Sequence, residues 1–162
     1  MSEIAYLSLG SNVGNREQNL RSAIGQLSRL GKVIAVSSFY ETEPVEFTEQ
    51  PWFLNCALSL ETPLQPAQLM SGLLGIEREM GRERGRHKGP RLIDLDILLF
   101  GDAVMKTPDL TIPHQAMAER RFVLEPLAEI APELRHPGLH KTVRELLSEL
   151  PPGQKVQRCK AS

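Results

Sequence analysis

Two cysteines in 162 residues, Cys56 inside an apolar run and Cys159 near the end, are too few for a disulfide framework. They read as free thiols in a reducing compartment. The chain also lacks an excess of either charge: nineteen Lys and Arg stand against twenty Asp and Glu, a formal net charge of −1. That balance leaves no overall field to draw the molecule to nucleic acid or to an anionic membrane, so any charge-driven binding has to be local. No stretch approaches the roughly 18 uninterrupted apolar residues of a membrane span. Met1-Ser2-Glu3 begins neither a basic nor an apolar leader, and the expectation is a soluble, cytoplasmic protein. Internal repeats and dividing linkers are missing too. What is present, a 41% hydrophobic share over 162 residues, suits one domain spanning 1–162 that builds its core without disulfides or a structural metal.

Hydrophobic patterning predicts a strand over 4–9 that stops at Gly10-Ser11-Asn12. A helix over 15–30 follows, opened by the capping-box pattern Asn15-Arg16-Glu17-Gln18 and closed at Gly31. β-Branched and aromatic residues predict a second strand over 33–40. Residues 41–51, with two prolines and four glutamates, read as an exposed binding loop. Residues 52–61 alternate: Phe53, Asn55, Ala57 and Ser59 share one strand face, half polar, and Leu54, Cys56, Leu58 and Leu60 share the other. Pro66 begins a helix whose Leu69, Leu73, Ile76 and Met80 recur at helical spacing as far as Gly81. A second loop over 82–90 leads into a strand over 91–100. The remainder reads as a short edge segment over 110–114, a helical region over 116–130 interrupted at Pro126, and a last helix over 142–150. No strong pattern follows Pro151-Pro152-Gly153. The order β-α-β-β-α-β resembles ferredoxin-like folds, in which two helices cover one face of an antiparallel or mixed sheet.

The chemistry concentrates on Arg91-Leu92-Ile93-Asp94-Leu95-Asp96-Ile97-Leu98. Alternation along a strand sends Asp94 and Asp96 to one face and Ile93, Leu95, Ile97 and Leu99 to the other, into a core. Two like charges about 7 Å apart along a strand call for neutralisation by a cation or a basic side chain. Mg²⁺ prefers carboxylate oxygens and is usually held by one or two of them plus water and substrate phosphates. The D-x-D pattern alone fits a solvent-facing strand about equally well. Its surroundings tip the balance, because Arg78, Arg82, Arg84, Arg86, Lys88 and Arg91 precede it against only Glu77, Glu79 and Glu83, with His87 among them. Guanidinium forks match phosphate oxygens, so metal and polyphosphate together account for both halves. Nucleic acid is disfavoured, since the basic cluster is short and carries no interleaved aromatics.

Phe53 beside Asn55 could stack on a flat heterocycle and hydrogen-bond its edge; taken alone the pair also fits a core ring and a polar strand residue. Gly10-Ser11-Asn12 lacks the lysine and the spacing of a phosphate loop and reads as a turn and helix cap. His114 after Pro113 either reaches a phosphate or is satisfied within the fold. His136 and His140 flank Pro137-Gly138, which breaks a helical metal pair, so zinc is not expected. These residues support a Mg²⁺-dependent transferase, while a phosphohydrolase activating water on a polyphosphate would use the same carboxylates. A non-catalytic sensor of a flat ligand would need Phe53 and Asn55 without the metal pair.

Lys88-Gly89-Pro90-Arg91-Leu92-Ile93-Asp94-Leu95-Asp96-Ile97-Leu98 resembles the signature of the 6-hydroxymethyl-7,8-dihydropterin pyrophosphokinases of folate biosynthesis. The likeness extends to the stretch 6–12, to Ser37-Ser38-Phe39-Tyr40-Glu41-Thr42, to Gln50-Pro51 with Leu54-Asn55, to Ile76-Glu77, to Leu110-Thr111-Ile112-Pro113-His114 and to Glu129-Ile130-Ala131-Pro132-Glu133-Leu134. It implies an α+β fold with a ferredoxin-like βαββαβ core, a three-layer α/β/α sandwich with a mainly antiparallel sheet. It implies a diphosphokinase in which ATP gives its β,γ-pyrophosphoryl group to the pterin hydroxymethyl oxygen and leaves as AMP, with two Mg²⁺ ions bridged by Asp94 and Asp96. Arg82 and Arg91 would join those aspartates in catalysis. Glu77, Arg84, Arg91, Ile97, Thr111, His114 and Arg120 would bind ATP, and Thr42, Glu43, Val45, Phe53, Asn55 and Phe122 the pterin. A monomer passing its product to a separate folate synthase is implied as well. The chain departs from the family at Lys88, where tryptophan often precedes Gly-Pro-Arg, at Phe53 and Gln115, where tyrosine is common, and at Asp109, where some members are basic.

Overall fold

The protein was analysed as a computed structural model that describes residues 2–43, 52–81 and 92–159. In chain order the elements are β1 (Glu3–Ser11), α1 (Arg16–Gln26) continued by a 3₁₀ turn (Leu27–Arg29), β2 (Lys32–Val36), β3 (Tyr40–Thr42), β4 (Phe53–Thr62) and α2 (Pro66–Glu79). There follow β5 (Asp94–Phe100), β6 (Met105–Lys106), β7 (Thr111–Ile112), a 3₁₀ turn (Met117–Glu119), α3 (Arg121–Ile130), α4 (Val143–Ser148) and β8 (Val156–Arg158).

One sheet has the order β5-β1-β4-β3-β8, with β2 also paired to β4, and every pairing in it is antiparallel. Taking β2 and β3 as one broken strand, the core strands lie in the ferredoxin-like order fourth-first-third-second. The predicted fold class therefore stands. Leucine-rich alternation produces two cores. Leu7, Leu9, Cys56, Leu58, Leu60, Leu95 and Ile97 meet Leu20 and Leu27, Leu69, Leu73 and Ile76 on the α1 and α2 side. On the opposite side Ala57, Leu98 and Leu99 meet Val123, Leu124 and Leu127 of α3 and Val143 and Leu146 of α4. Among the described residues no helix is long and apolar enough to cross a membrane.

Several expectations change. β1 runs through Gly10 and Ser11, so these are strand residues, and the helix cap is Asn15, whose side chain accepts the Gln18 N–H at 3.0 Å. The strand expected over 33–40 breaks at Ser37–Phe39 because the Ser37 hydroxyl takes the Ala57 N–H at 2.9 Å, substituting for a ladder partner. Glu41 and Thr42 belong to β3 rather than to an exposed loop, and residues 44–51 and 82–91 lie outside the described residues. Both faces of β4 are largely buried, the half-polar one included. Leu99 joins Leu98 in the α3–α4 core instead of following Ile97, since the β1–β5 register shifts between Tyr6 and Leu7 and the alternation slips there. Pro126 sits inside α3 without ending it. The helix gives up one bond, to the Phe122 carbonyl, and buries the proline ring in return. β8 was not anticipated; it pairs with β3 through Tyr40↔Arg158 and Thr42↔Val156.

Candidate active site

Register places the functional side chains in rows across the sheet. Gly10 of β1 is paired with Asp94 of β5 on one side and with Asn55 of β4 on the other, and Asn55 is paired in turn with Tyr40 of β3. One row deeper, Ser8 lies between Asp96 and Ala57; one row nearer the strand end, Phe53 faces Thr42. Paired residues in an antiparallel sheet share a face, so Asp94, Asp96, Asn55, Phe53 and Thr42 all look towards the α3 side. With strands about 4.8 Å apart, the aspartate row and the carboxamide stand about 10 Å from each other.

Gly10 makes this row possible. A Cβ built there would lie 2.6 Å from Asn55 Nδ2 and 3.6 Å from Phe53 Cδ1, so any side chain would displace the carboxamide. The Asn55 amide donates to the Leu9 carbonyl at 3.4 Å, which leaves its oxygen as the group offered outward. Asn55 Oδ1 and Thr42 Oγ1 are buried and have no hydrogen-bond partner among the described residues. Buried polar atoms are almost always paired, and two orphans next to each other on one face mark where a polar ligand edge would bind.

At the other end of the row, Asp94 and Asp96 alternate with the core residues Leu95 and Ile97. Glu77, on the last turn of α2 and only 3% exposed, accepts the Leu95 N–H at 2.8 Å and so sits at the outer edge of β5. Along that same edge His114 donates its backbone N–H to the Leu98 carbonyl at 2.9 Å, after a cis Ile112–Pro113 bond that follows Thr111. His114 Nδ1 accepts the Ala116 N–H at 3.2 Å, which leaves Nε2 to carry the proton as a donor. Burial, and then the positive charge of Arg120, hold the imidazole below its ordinary pKa of 6.5, so it is neutral near pH 7. The Arg120 guanidinium lies 5.5 Å from the centroid of the Phe122 ring at the start of α3.

The structure thus gathers Asp94, Asp96, Phe53, Asn55 and Thr42 on one face, with Glu77, Thr111 and His114 along the β5 edge and Arg120 and Phe122 on the helix that covers that face. Two expected site residues stand apart. The Ile97 side chain is 2% exposed in the opposite core, so it can offer a ligand only its backbone. Glu43 turns to the C-terminal segment: its N–H donates to the Lys155 carbonyl, its carbonyl accepts from Gln154 and its carboxylate from the Lys155 N–H. Arg82, Arg84, Arg91 and Val45 lie outside the described residues. In the sequence Gly10 reads as an ordinary turn glycine; its place between Asp94 and Asn55 emerges only from the register.

Comparison with known proteins places the chain in a family. The family profile described as 7,8-dihydro-6-hydroxymethylpterin-pyrophosphokinase matches residues 6–132. A 2-amino-4-hydroxy-6-hydroxymethyldihydropteridine pyrophosphokinase of Methylorubrum extorquens is 45% identical over 150 residues, covering 91% of this chain and 94% of that protein. One of Bacillus subtilis is 47% identical over 136 residues, covering 83% and 81%. The folic acid synthesis protein fol1 of Schizosaccharomyces pombe is 44% identical over 152 residues, and there the chain spans only 21% of its relative's length. Among solved structures, a Plasmodium falciparum HPPK-DHPS superposes with a TM-score of 0.76 at 21% identity, over 92% of this chain and 44% of that one, a likeness of fold. With the profile over most of its length and relatives of this identity and coverage, the chain belongs to the 7,8-dihydro-6-hydroxymethylpterin pyrophosphokinase family.

Proposed function

We propose that this chain transfers the β,γ-pyrophosphoryl group of ATP to the hydroxymethyl oxygen of 6-hydroxymethyl-7,8-dihydropterin, giving the pterin diphosphate and AMP in folate synthesis. The observation that carries this reading is the row Asp94–Gly10–Asn55, with the orphaned oxygens of Asn55 and Thr42 at one end and paired carboxylates at the other. A pterin ring presents an edge rich in N–H donors, which those two oxygens accept, while Phe53 supplies a face for stacking.

Among the described residues no group of three or more His, Cys, Asp or Glu side chains could hold a metal. A two-carboxylate donor set fits Mg²⁺, which completes its shell with water and phosphate, better than it fits zinc. Asp94 and Asp96 would hold the ions, and bound there Mg²⁺ would neutralise and polarise the triphosphate. The chain's own residues do the rest. Asn55 and Thr42 fix the ring so that its hydroxymethyl oxygen points along the row towards the aspartates. Glu77, Thr111 and the Nε2–H of His114 line the ATP side, and Arg82, Arg84, Arg91 and Arg120 answer the phosphate charge. The hydroxyl oxygen attacks the β-phosphorus and gives up its proton to solvent, the bond from that phosphorus to the α,β-bridging oxygen breaks, and AMP departs with that oxygen. Catalysis rests on positioning and charge neutralisation, with no strong base required. A cytoplasmic monomer is part of the same reading.

A coupled AMP assay run with and without the pterin tests donor, acceptor and reaction type together. AMP should form only when the hydroxymethylpterin is present. Steady phosphate release from ATP alone would instead make the chain a hydrolase built on the same carboxylates.

A further inference from the structure

Glu129, on the last turn of α3, gathers four donors onto a carboxylate whose side chain is only 23% exposed. The Ser38 N–H reaches its two oxygens at 3.1 and 3.0 Å, the Ser38 hydroxyl donates at 3.0 Å, the Tyr40 hydroxyl at 2.7 Å and the Arg158 guanidinium at 3.2 Å. Arg158 also donates through Nε to the Ser38 hydroxyl at 3.0 Å, which closes the cluster. Burial alone would raise the Glu129 pKa, but the bonds from Tyr40 and Ser38 and the charge of Arg158 hold it below the ordinary carboxylate value. Burial, and then the neighbouring carboxylate, push the Tyr40 phenol well above its usual 10.0, so it stays a donor.

These bonds converge on a weak point of the sheet. β3 is only three residues long and follows the break at Ser37–Phe39, so its own ladder does little to fix it. Yet Tyr40 is paired with Asn55, and Thr42 with Phe53. Among the described residues the oxygens of Asn55 and Thr42 have no hydrogen-bond partner; the Leu9 carbonyl holds the Asn55 amide, while nothing comparable holds the Thr42 hydroxyl. The place of the Thr42 hydroxyl therefore depends on the backbone of β3, and Glu129 grips β3 at Tyr40 and the segment leading into it at Ser38. α3, the helix that carries Glu129, also carries Phe122, and β8, which carries Arg158, flanks β3 on its far side.

We infer that Glu129 is a positioning residue for the acceptor: with Ser38, Tyr40 and Arg158 it holds β3 in the register that presents Thr42 beside Asn55. This rests on the pyrophosphoryl-transfer reading above. Arg158 lies beyond the stretch matched by the family profile, and it joins the cluster because β8 pairs with β3.

The test uses the full chain and the variants Glu129→Gln, Tyr40→Phe and the double variant, with steady-state kinetics for each substrate and calorimetric titration of the pterin. Losing a charge-assisted bond should raise both KM and Kd for the pterin about tenfold in Glu129→Gln, with kcat and KM for ATP within about twofold of the parent. Tyr40→Phe should shift them in the same direction by less, and the double variant should be no worse than Glu129→Gln. An unchanged pterin Kd, a thermal midpoint that falls while both constants hold, or equal loss for both substrates would overturn the inference. A parent that makes no pterin-dependent AMP would instead overturn the reading on which it rests. Should Glu129→Gln not fold, Arg158→Ala removes the cation that faces the same carboxylate and carries the same expectation.

Discussion

The two faces of β4 are built from the same strand and do opposite things. Towards α1 and α2 it offers Leu54, Cys56, Leu58 and Leu60, each buried in a continuous apolar cluster. Towards α3 it offers Phe53, Asn55, Ala57 and Ser59, where apolar packing by Ala57 gives way at the strand end to a carboxamide whose oxygen has no partner among the described residues. The packed face stabilises the fold through burial; the other leaves polar atoms unsatisfied and so costs stability locally. The difference shows how one sheet can be rigid and still present a site: rigidity comes from the face that carries no chemistry.

Four substitutions would break or sharpen that contrast. The largest effect is expected for Asp96→Ala on the open face, a fall in kcat of about 10²- to 10³-fold with the thermal midpoint and pterin affinity nearly kept; unchanged turnover would remove Asp96 from the site. On the packed face Leu58→Ala should do the reverse, lowering stability by about 2–5 kcal/mol in denaturant unfolding while the folded fraction keeps its KM values. Next comes Gly10→Ala. Overpacking costs about 1–3 kcal/mol, and because the nearest obstacle is the end of the Asn55 side chain, the cost should be read as weaker pterin binding rather than unfolding. Smallest is Thr42→Val: replacing a buried hydroxyl without a partner should leave stability equal or raise it by about 1 kcal/mol, and still weaken pterin binding. A variant that lost stability as well as affinity would mean that the hydroxyl is satisfied within the protein.

Much of this contrast was legible in the sequence. The period-2 alternation over 53–60 assigns each β4 side chain to its face, and the same rule puts Asp94 and Asp96 together, because strand geometry is local. The motif around those aspartates led to the family directly. What stayed hidden depends on partners far along the chain. Ser37 breaks a strand by lending its hydroxyl to Ala57, twenty residues away, and nothing in its neighbours announces it. Glu129 meets Ser38 across 91 positions and Tyr40 across 89. Leu99 changes face because β5 carries one residue more, Leu98, than the Tyr6–Leu7 step of β1 it pairs with. β8 is three residues long and gains its place from β3, so its own composition could not reveal it. Gly10 is the same kind of case: one glycine looks like any other until its two neighbours across the sheet are known.

Gly10 also carries a consequence for substrate choice. Because the aspartates and the carboxamide are separated by whole strand spacings, the sheet acts as a ruler whose divisions are hydrogen-bond pitches and cannot be stretched by a fraction. A molecule whose reacting oxygen sat one bond nearer to or farther from its ring edge would fail to meet both ends at once. On the proposed reading, selectivity for the reach of the acceptor would be written into backbone pairing, and side-chain substitution would change what is recognised at either end more easily than how far apart the ends must be.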